Sequence, residues 1–178
     1  MNIEWRNRTF FGKQALEFSE EDKFFVIKKG IVEVQTKSGS VLTYLGVGDM
    51  VIANENLDFF ARTALDLEET KIDLPLFPGY YDALLVERLD EYHYNAEARV
   101  SICLKKLAEK FGTNRDGEIQ ITPIFTQYDI ANYCNLKREY ISVLLRRMAG
   151  RKIIRMKPKP WAVLDMQALE QYISENGY

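Results

Sequence analysis

At 178 residues the chain can hold one medium domain or two small ones, and its 47% hydrophobic and 12% aromatic content excludes a disordered polypeptide. No stretch approaches the roughly 18 apolar residues of a membrane span, and Met1 to Phe11 lacks the charged start and apolar run of a secretory signal, so a cytoplasmic protein with no membrane role is expected. The net charge of −2 hides an asymmetry: from Thr126 to Pro160 nine Lys and Arg face only Asp129 and Glu139, a local +7 that leaves the other 143 residues at −9.

Taken in chain order, residues from about 23 to 72 read as short strands between turns. Phe24 to Ile27 leads through Lys28-Lys29-Gly30 into Ile31 to Thr36, where Val32, Val34 and Thr36 share one face and Glu33 and Gln35 the other. Ser38-Gly39 marks a hairpin with Val41 to Leu45, and Gly46 to Asp49 turns into Met50 to Ala53. Phe59 to Ala64 and Leu67 to Ile72 complete a pattern that predicts a small antiparallel roll or barrel.

From Leu76 to Tyr94, after Pro78-Gly79, the apolar spacing becomes helical. Leu85, Leu89, Tyr92 and Ala96 recur at intervals of four, three and four, as in a helix that pairs with a copy of itself. The alternative is that this stripe packs on the chain's own strands. A second helix is predicted from Glu97 to Phe111, ending at Gly112, then a polar loop over 113–118 and a short strand at Ile119 to Thr122. The expected divisions are 1–75, 76–96 and 97–178, with the hinge near 95–98.

The run from Thr126 to Met148 carries the chemistry. Thr126 can cap a first helix with Asp129 reaching back in a capping box, and Ile130, Ala131 and Cys134 share a face. Asn135 suits the left-handed residue that stops the helix, and Leu136 would plug the corner. A second helix from about Lys137 turns Ile141, Leu144, Leu145 and Met148 inwards and Lys137, Arg138, Glu139, Ser142 and Arg146 outwards. Two short helices with a tight turn make a helix-turn-helix, whose second helix enters the major groove of double-stranded DNA with its N-terminal side chains first. Arg138 can donate to guanine O6 and N7 and Glu139 can accept from a cytosine amino group, with Ser142 a further base contact. Thr126, Lys137, Arg146, Arg147 and Lys152 are the expected phosphate contacts. Beyond Gly150, Lys152 to Met156 and Trp161 to Leu164 would flank a basic tip in which Lys157 and Lys159 meet phosphate, forming a wing. A last helix, Met166 to Ile173, closes the domain.

With these residues in view the whole chain resembles the cAMP receptor protein / fumarate–nitrate reduction regulator (CRP/FNR) family, most specifically over Thr126 to Leu145 and in the Arg138-Glu139 pair. The resemblance implies an α+β architecture: an N-terminal cupin-like antiparallel β-roll, a long dimerisation helix and a C-terminal winged helix-turn-helix. It also implies a bacterial homodimer reading a two-fold symmetric DNA site, with RNA polymerase as a partner. Two departures bear on the half-site. Lys137 stands where the family often has Ser or Thr, losing a cap and gaining a phosphate contact. Val143 stands where many members have a second base-reading Arg, which makes it a candidate for a thymine methyl contact.

Cyclic-nucleotide members carry a Gly-Glu pair for the ribose and an Arg-Ser/Thr-Ala unit for the phosphate. Arg62-Thr63-Ala64 resembles the second unit, but Val51 to Phe60 holds no Gly-Glu pair, and Glu55 follows Asn54. Arg62 and Thr63 are thus the candidate effector-pocket residues, Arg62 being otherwise an ordinary strand residue. The expected regulator works without cyclic nucleotide or other cofactor, its effector being unidentified. The family's cysteine cluster is absent, and the lone pair Cys103 and Cys134 has no CxxC spacing. Cys134 is expected in the core, Cys103 in core or surface, and His93 exposed or beside the dimer seam. A cupin-type metalloenzyme needs several His, and this chain has one, outside the roll, so no enzyme is expected. The competing readings are a winged-helix protein-interaction module and a cupin-like small-molecule-binding protein without a DNA role.

Overall fold

The computed structural model describes residues 14–18, 24–70 and 80–176. The chain forms two compact units, Met1–Val86 and Glu87–Tyr178. The division falls at 86/87, ahead of the hinge expected near 95–98.

The described residues of the first unit hold seven strands, most of them built on alternating apolar residues: β1 (Gln14–Ala15), β2 (Phe24–Lys29), β3 (Val32–Thr36), β4 (Val41–Leu45), β5 (Met50–Ile52), β6 (Leu57–Ala61) and β7 (Asp66–Thr70). They pair antiparallel in two sheets, β1-β6-β3-β4 and β5-β2-β7. Ile27, Val32, Val34, Val51 and Phe59 meet in the core. Burying such side chains is worth about 1.5–3 kcal/mol each, which fixes strand register, since a one-residue slip would turn them outwards. Helix α1 (Tyr80–Glu91) is fastened to this core at its start. The Tyr81 hydroxyl accepts from the Ile52 amide (2.9 Å) and donates to the Ile52 carbonyl (3.0 Å). The strand expected over 59–64 lies at 57–61 instead, because the chain leaves the sheet at Arg62. The predicted ends at Ile72, Leu76 and Pro78-Gly79 lie outside the described residues.

In β3, Glu33 and Gln35 share a face as their spacing predicts, but both are buried, and the Gln35 amide donates to the Glu33 carboxylate. A buried carboxylate needs a partner, and Arg62 supplies it.

The second unit contains α2 (Ala96–Phe111), β8 (Gly112–Arg115), β9 (Glu118–Ile121), α3 (Gln127–Cys134), α4 (Arg138–Gly150), β10 (Ile154–Arg155), β11 (Ala162–Val163) and α5 (Met166–Glu175). Helix α1 stops at Glu91 rather than running to Tyr94. The Asn95 side chain accepts from the Ala98 amide (3.0 Å) and starts α2 afresh. Tyr92 and His93 therefore stand in a turn, and Ala96 opens a different helix from Leu85 and Leu89. The four-three-four spacing is real in sequence but is not one helical stripe.

Gly112 ends α2, but in an extended conformation (φ −79°, ψ 143°) rather than the left-handed one. Glycine is required there by space: a Cβ would lie 2.0 Å from the Ala108 carbonyl oxygen and 2.3 Å from Ile119 Cγ2. The polar loop expected over 113–118 is instead a hairpin of β8 and β9. Its turn residues Asp116 and Gly117 both have positive φ (51° and 82°), as an Asp-Gly hairpin turn demands. Thr113, Asn114 and Arg115 carry no apolar alternation, so only that dipeptide signals the strand. β8 and β9 extend the wing into a four-stranded sheet, β10-β11-β9-β8. Asp165 caps α5 by accepting from the Ala168 amide (2.9 Å), and Leu169 is buried.

Candidate nucleic-acid interface

Helices α3 and α4 meet through a corner built as the residue types require. Thr126 Oγ1 accepts from the Asp129 amide (3.3 Å) while the Asp129 carboxylate accepts from the Thr126 amide (2.7 Å), a complete capping box. The Thr126 hydroxyl donates to the same carboxylate (2.8 Å), so it is engaged within the protein. Asn135 ends α3 in the left-handed region (φ 50°, ψ 53°), and the Leu136 amide donates to the Ala131 carbonyl (2.9 Å). Lys137 stands at the N-cap of α4 with no side-chain cap.

Helix α4 then separates two faces. Ile141, Leu144, Leu145 and Met148 are fully buried, as their spacing predicts. Lys137, Arg138, Glu139 and Val143 are exposed and Ser142 is half-buried, all on the opposite side. The Arg138 guanidinium lies 5.3 Å from the centre of the Tyr128 ring, and its Nε is 3.6 Å from the Glu139 carboxylate.

The basic block is not uniform. Arg147 is ion-paired with Glu97 of α2, which also accepts from the Tyr172 hydroxyl (2.6 Å). Glu97 holds the Arg147 pKa above its usual value. Arg151 sits 5.1 Å over the Tyr172 ring, and Arg146 folds back to donate to the Ser142 carbonyl (3.1 Å) and hydroxyl (3.2 Å). Arg155 reaches from β10 to Glu118 of β9 and donates to the Pro158 carbonyl (2.6 Å), bracing the tip. The Glu118 carboxylate raises the Arg155 pKa, while Arg155 and then Gln120 hold the Glu118 carboxyl below its usual range. Lys152, Lys157 and Lys159 are exposed. The structure therefore brings Lys137, Arg138, Glu139, Ser142 and Val143 together on one helix face, and it commits Arg147 and Arg155 to internal ties.

A buried network that sequence reasoning missed joins the end of α1 to the helix-turn-helix. Arg88 donates to the Glu91 carboxylate and to the Tyr133 carbonyl near the C-terminal end of α3, and its guanidinium lies 4.0 Å from the centre of the Tyr133 ring. Lys106 of α2 pairs with Glu91 (2.5 Å) and Glu87 (2.6 Å). Burial opposes the charge on Arg88, but Tyr133 and then Glu91 outweigh it and raise its pKa. Burial also pushes the Tyr133 phenol well up. The available signal was the spacing of Arg88 and Glu91, three apart on a helix. Beside them Cys103 and Cys134 are both buried and free. Burial, and then a hydrogen bond with Cys134, lifts the Cys103 thiol well above its usual range, which disfavours the reactive thiolate.

In the roll the two candidate effector residues both have partners within the protein. Arg62 pairs with Glu33 at 3.2 Å, the two side chains being 18% and 2% exposed. Thr63 Oγ1 accepts from the Ile31 amide (2.9 Å) and donates to the Ala64 carbonyl (3.3 Å). Leu85 and Leu89 are exposed on α1, Tyr92 is exposed in the turn beyond it, and Ala96 is half-buried. His93 is also exposed. Among the described residues no group of three or more His, Cys, Asp and Glu converges as a metal site would, and no helix is long and apolar enough to cross a membrane.

Comparison with known proteins agrees with this geometry. Residues 98–172 match the Crp-like helix-turn-helix domain model. No curated protein sequence matches the chain. Solved structures do: a CRP/FNR-family transcriptional regulator from Thermus thermophilus is similar at TM-score 0.73 and 17% identity, over 96% of this chain and 99% of that one. A CooA mutant from Carboxydothermus hydrogenoformans gives 0.71 and 19% over 93% and 86%. FixK2 from Bradyrhizobium japonicum gives 0.68 and 16% over 93% and 95%. Residues 98–172 thus match the Crp-like helix-turn-helix domain, and the chain as a whole has the fold seen in the CRP/FNR transcription regulators.

Proposed function

We propose that this protein is a sequence-specific DNA-binding transcription regulator, not an enzyme, acting in the cytoplasm as a homodimer on a two-fold symmetric site without cyclic nucleotide, and working with RNA polymerase. The observation that carries the reading is α4, which buries one apolar face completely and presents Arg138, Glu139, Ser142 and Val143 on the other. Arg138 and Glu139 read base edges and Val143 meets a thymine methyl, while Lys137, Lys152, Lys157 and Lys159 hold phosphates. Exposed Leu85, Val86 and Leu89 on α1 and Tyr92 beyond it support pairing with a second copy. The two recognition helices of such a dimer enter successive major grooves about one helical turn apart. The Arg62–Glu33 pair supports activity without cyclic nucleotide, since a carboxylate already occupies the guanidinium that a phosphate would need.

Selection of bound sequences from a random DNA pool by the purified protein, with and without cyclic nucleotide, tests this. An enriched palindrome in the unliganded arm is the expected result. A single unpaired half-site would overturn the dimer, and enrichment only with nucleotide would overturn the ligand-free reading. The absence of any motif in both arms, with binding insensitive to salt, would sink the DNA role altogether.

A further inference from the structure

Tyr128 is 62% exposed, and the proposed function gives it nothing to do. It lies in the first turn of α3, held there by the Thr126–Asp129 capping box. Arg138 opens α4 on the far side of the left-handed Asn135 corner. Both ends of the pair thus stand on backbone set by local hydrogen bonds, and their separation of 5.3 Å between guanidinium carbon and ring centre falls within cation–π range.

We infer that Tyr128 is a positioning residue that fixes the direction of Arg138 before DNA arrives. This rests on the reading of Arg138 as a base contact. A free arginine samples many rotamers and loses that freedom when it grips a base pair. The ring attracts the guanidinium from one side and the Glu139 carboxylate approaches its Nε at 3.6 Å from another. A π face holds the charge through its quadrupole and adds no competing carboxylate, so base-edge acceptors can still take the N–H donors. The chain thereby obtains a pre-aimed arginine in a recognition helix whose N-cap, Lys137, offers no side-chain capping bond.

The test is a double-mutant cycle on the selected site, on the same site with the base pair read by Arg138 replaced, and on random DNA. Tyr128→Leu keeps an apolar side chain and removes the ring. It should lower the preference for the correct base pair about two- to five-fold, the range expected of an exposed cation–π pair, with random-DNA affinity unchanged. Tyr128→Phe should retain the preference, and Tyr128→Leu should have no further effect in an Arg138→Ala background. An equal loss on all DNA would show Tyr128 to be a phosphate contact and overturn the inference. So would an undiminished preference, or the same loss without Arg138. A wild-type protein with no base preference would sink the DNA-reading proposal and this one with it, whereas a preference that Tyr128→Leu leaves intact sinks this one alone.

Discussion

Arg62 in the N-terminal unit and Arg138 in the C-terminal unit are held in opposite ways. Arg62 is turned inwards to a carboxylate that has almost no contact with water, whereas Arg138 is 46% exposed beside an aromatic ring and an exposed carboxylate. Burial makes the first pair structural. Taking both charges out of water is costly, and each is tolerable only because the other is there. Exposure leaves the second arginine free for the base-reading role proposed for it, since its donors remain available to an incoming acceptor. The same side chain is thus scaffold or contact according to what surrounds it, and the other basic residues sort by the same rule. Arg88 and Arg155 belong with Arg62, Lys137, Lys152, Lys157 and Lys159 are exposed like Arg138, and Arg147, as exposed as Arg138, is set apart from it by its ion pair with Glu97.

The largest effect should come from the most buried of these ties. Glu91→Ala leaves Arg88 and Lys106 without their shared carboxylate, and breaking a buried pair typically costs about 3–5 kcal/mol. Denaturant unfolding of the full chain should show that loss in the transition of the second unit. A change below about 1 kcal/mol would mean that Arg88 is sufficiently served by the Tyr133 ring and carbonyl. Glu33→Ala should behave similarly in the roll, with a loss of about 3 kcal/mol, and base preference should not change when the protein is assayed while folded. Altered base preference in Glu33→Ala would contradict the division drawn between the two arginines.

Arg138→Ala reverses the pattern. Stability should stay within about 0.5 kcal/mol, as for surface substitutions generally. Discrimination at one base pair of the half-site should fall by about 1–3 kcal/mol. Competition binding on sites altered one pair at a time reads this directly. A loss spread evenly over every position would assign Arg138 to the backbone instead.

Much of this arrangement was legible in the residues. The capping box of Thr126 and Asp129, the left-handed Asn135 and the inward positions of α4 follow from local stereochemistry and a 3.6-residue period, which act over a few neighbours. What was illegible depends on partners distant in sequence. Nothing near Glu33 announces Arg62, and nothing near Arg147 announces Glu97, so burial of the first and engagement of the second appear only when strands and helices meet. β8 was missed for the opposite reason, whereas its partner β9 was expected from the alternation of Ile119 and Ile121. The signal for β8 is a single Asp-Gly dipeptide, and its polar residues gave no alternation to support it. The end of α1 at Glu91 was hidden because the apolar spacing continues through Tyr92 and Ala96 although the backbone does not. The Tyr128–Arg138 pair joins residues ten apart across a turn, too far for a helical-spacing rule.

The smallest expected effect separates the two classes of cation most cleanly. Lys157 sits at the wing tip, exposed, whereas Arg147 is tied to Glu97 and Tyr172. A phosphate contact releases counterions when it forms, so each one adds close to 0.9 to the slope of log K against log salt. Lys157→Ala should therefore weaken specific and random DNA alike and lower that slope by about one contact. Arg147→Ala should leave the slope nearly unchanged, because its charge is already compensated inside the protein. If both substitutions lower the slope equally, the Glu97 tie opens when DNA binds, and Arg147 joins the cations that grip the backbone. If neither does, the wing lies away from the duplex and the grip comes from the helix-turn-helix alone.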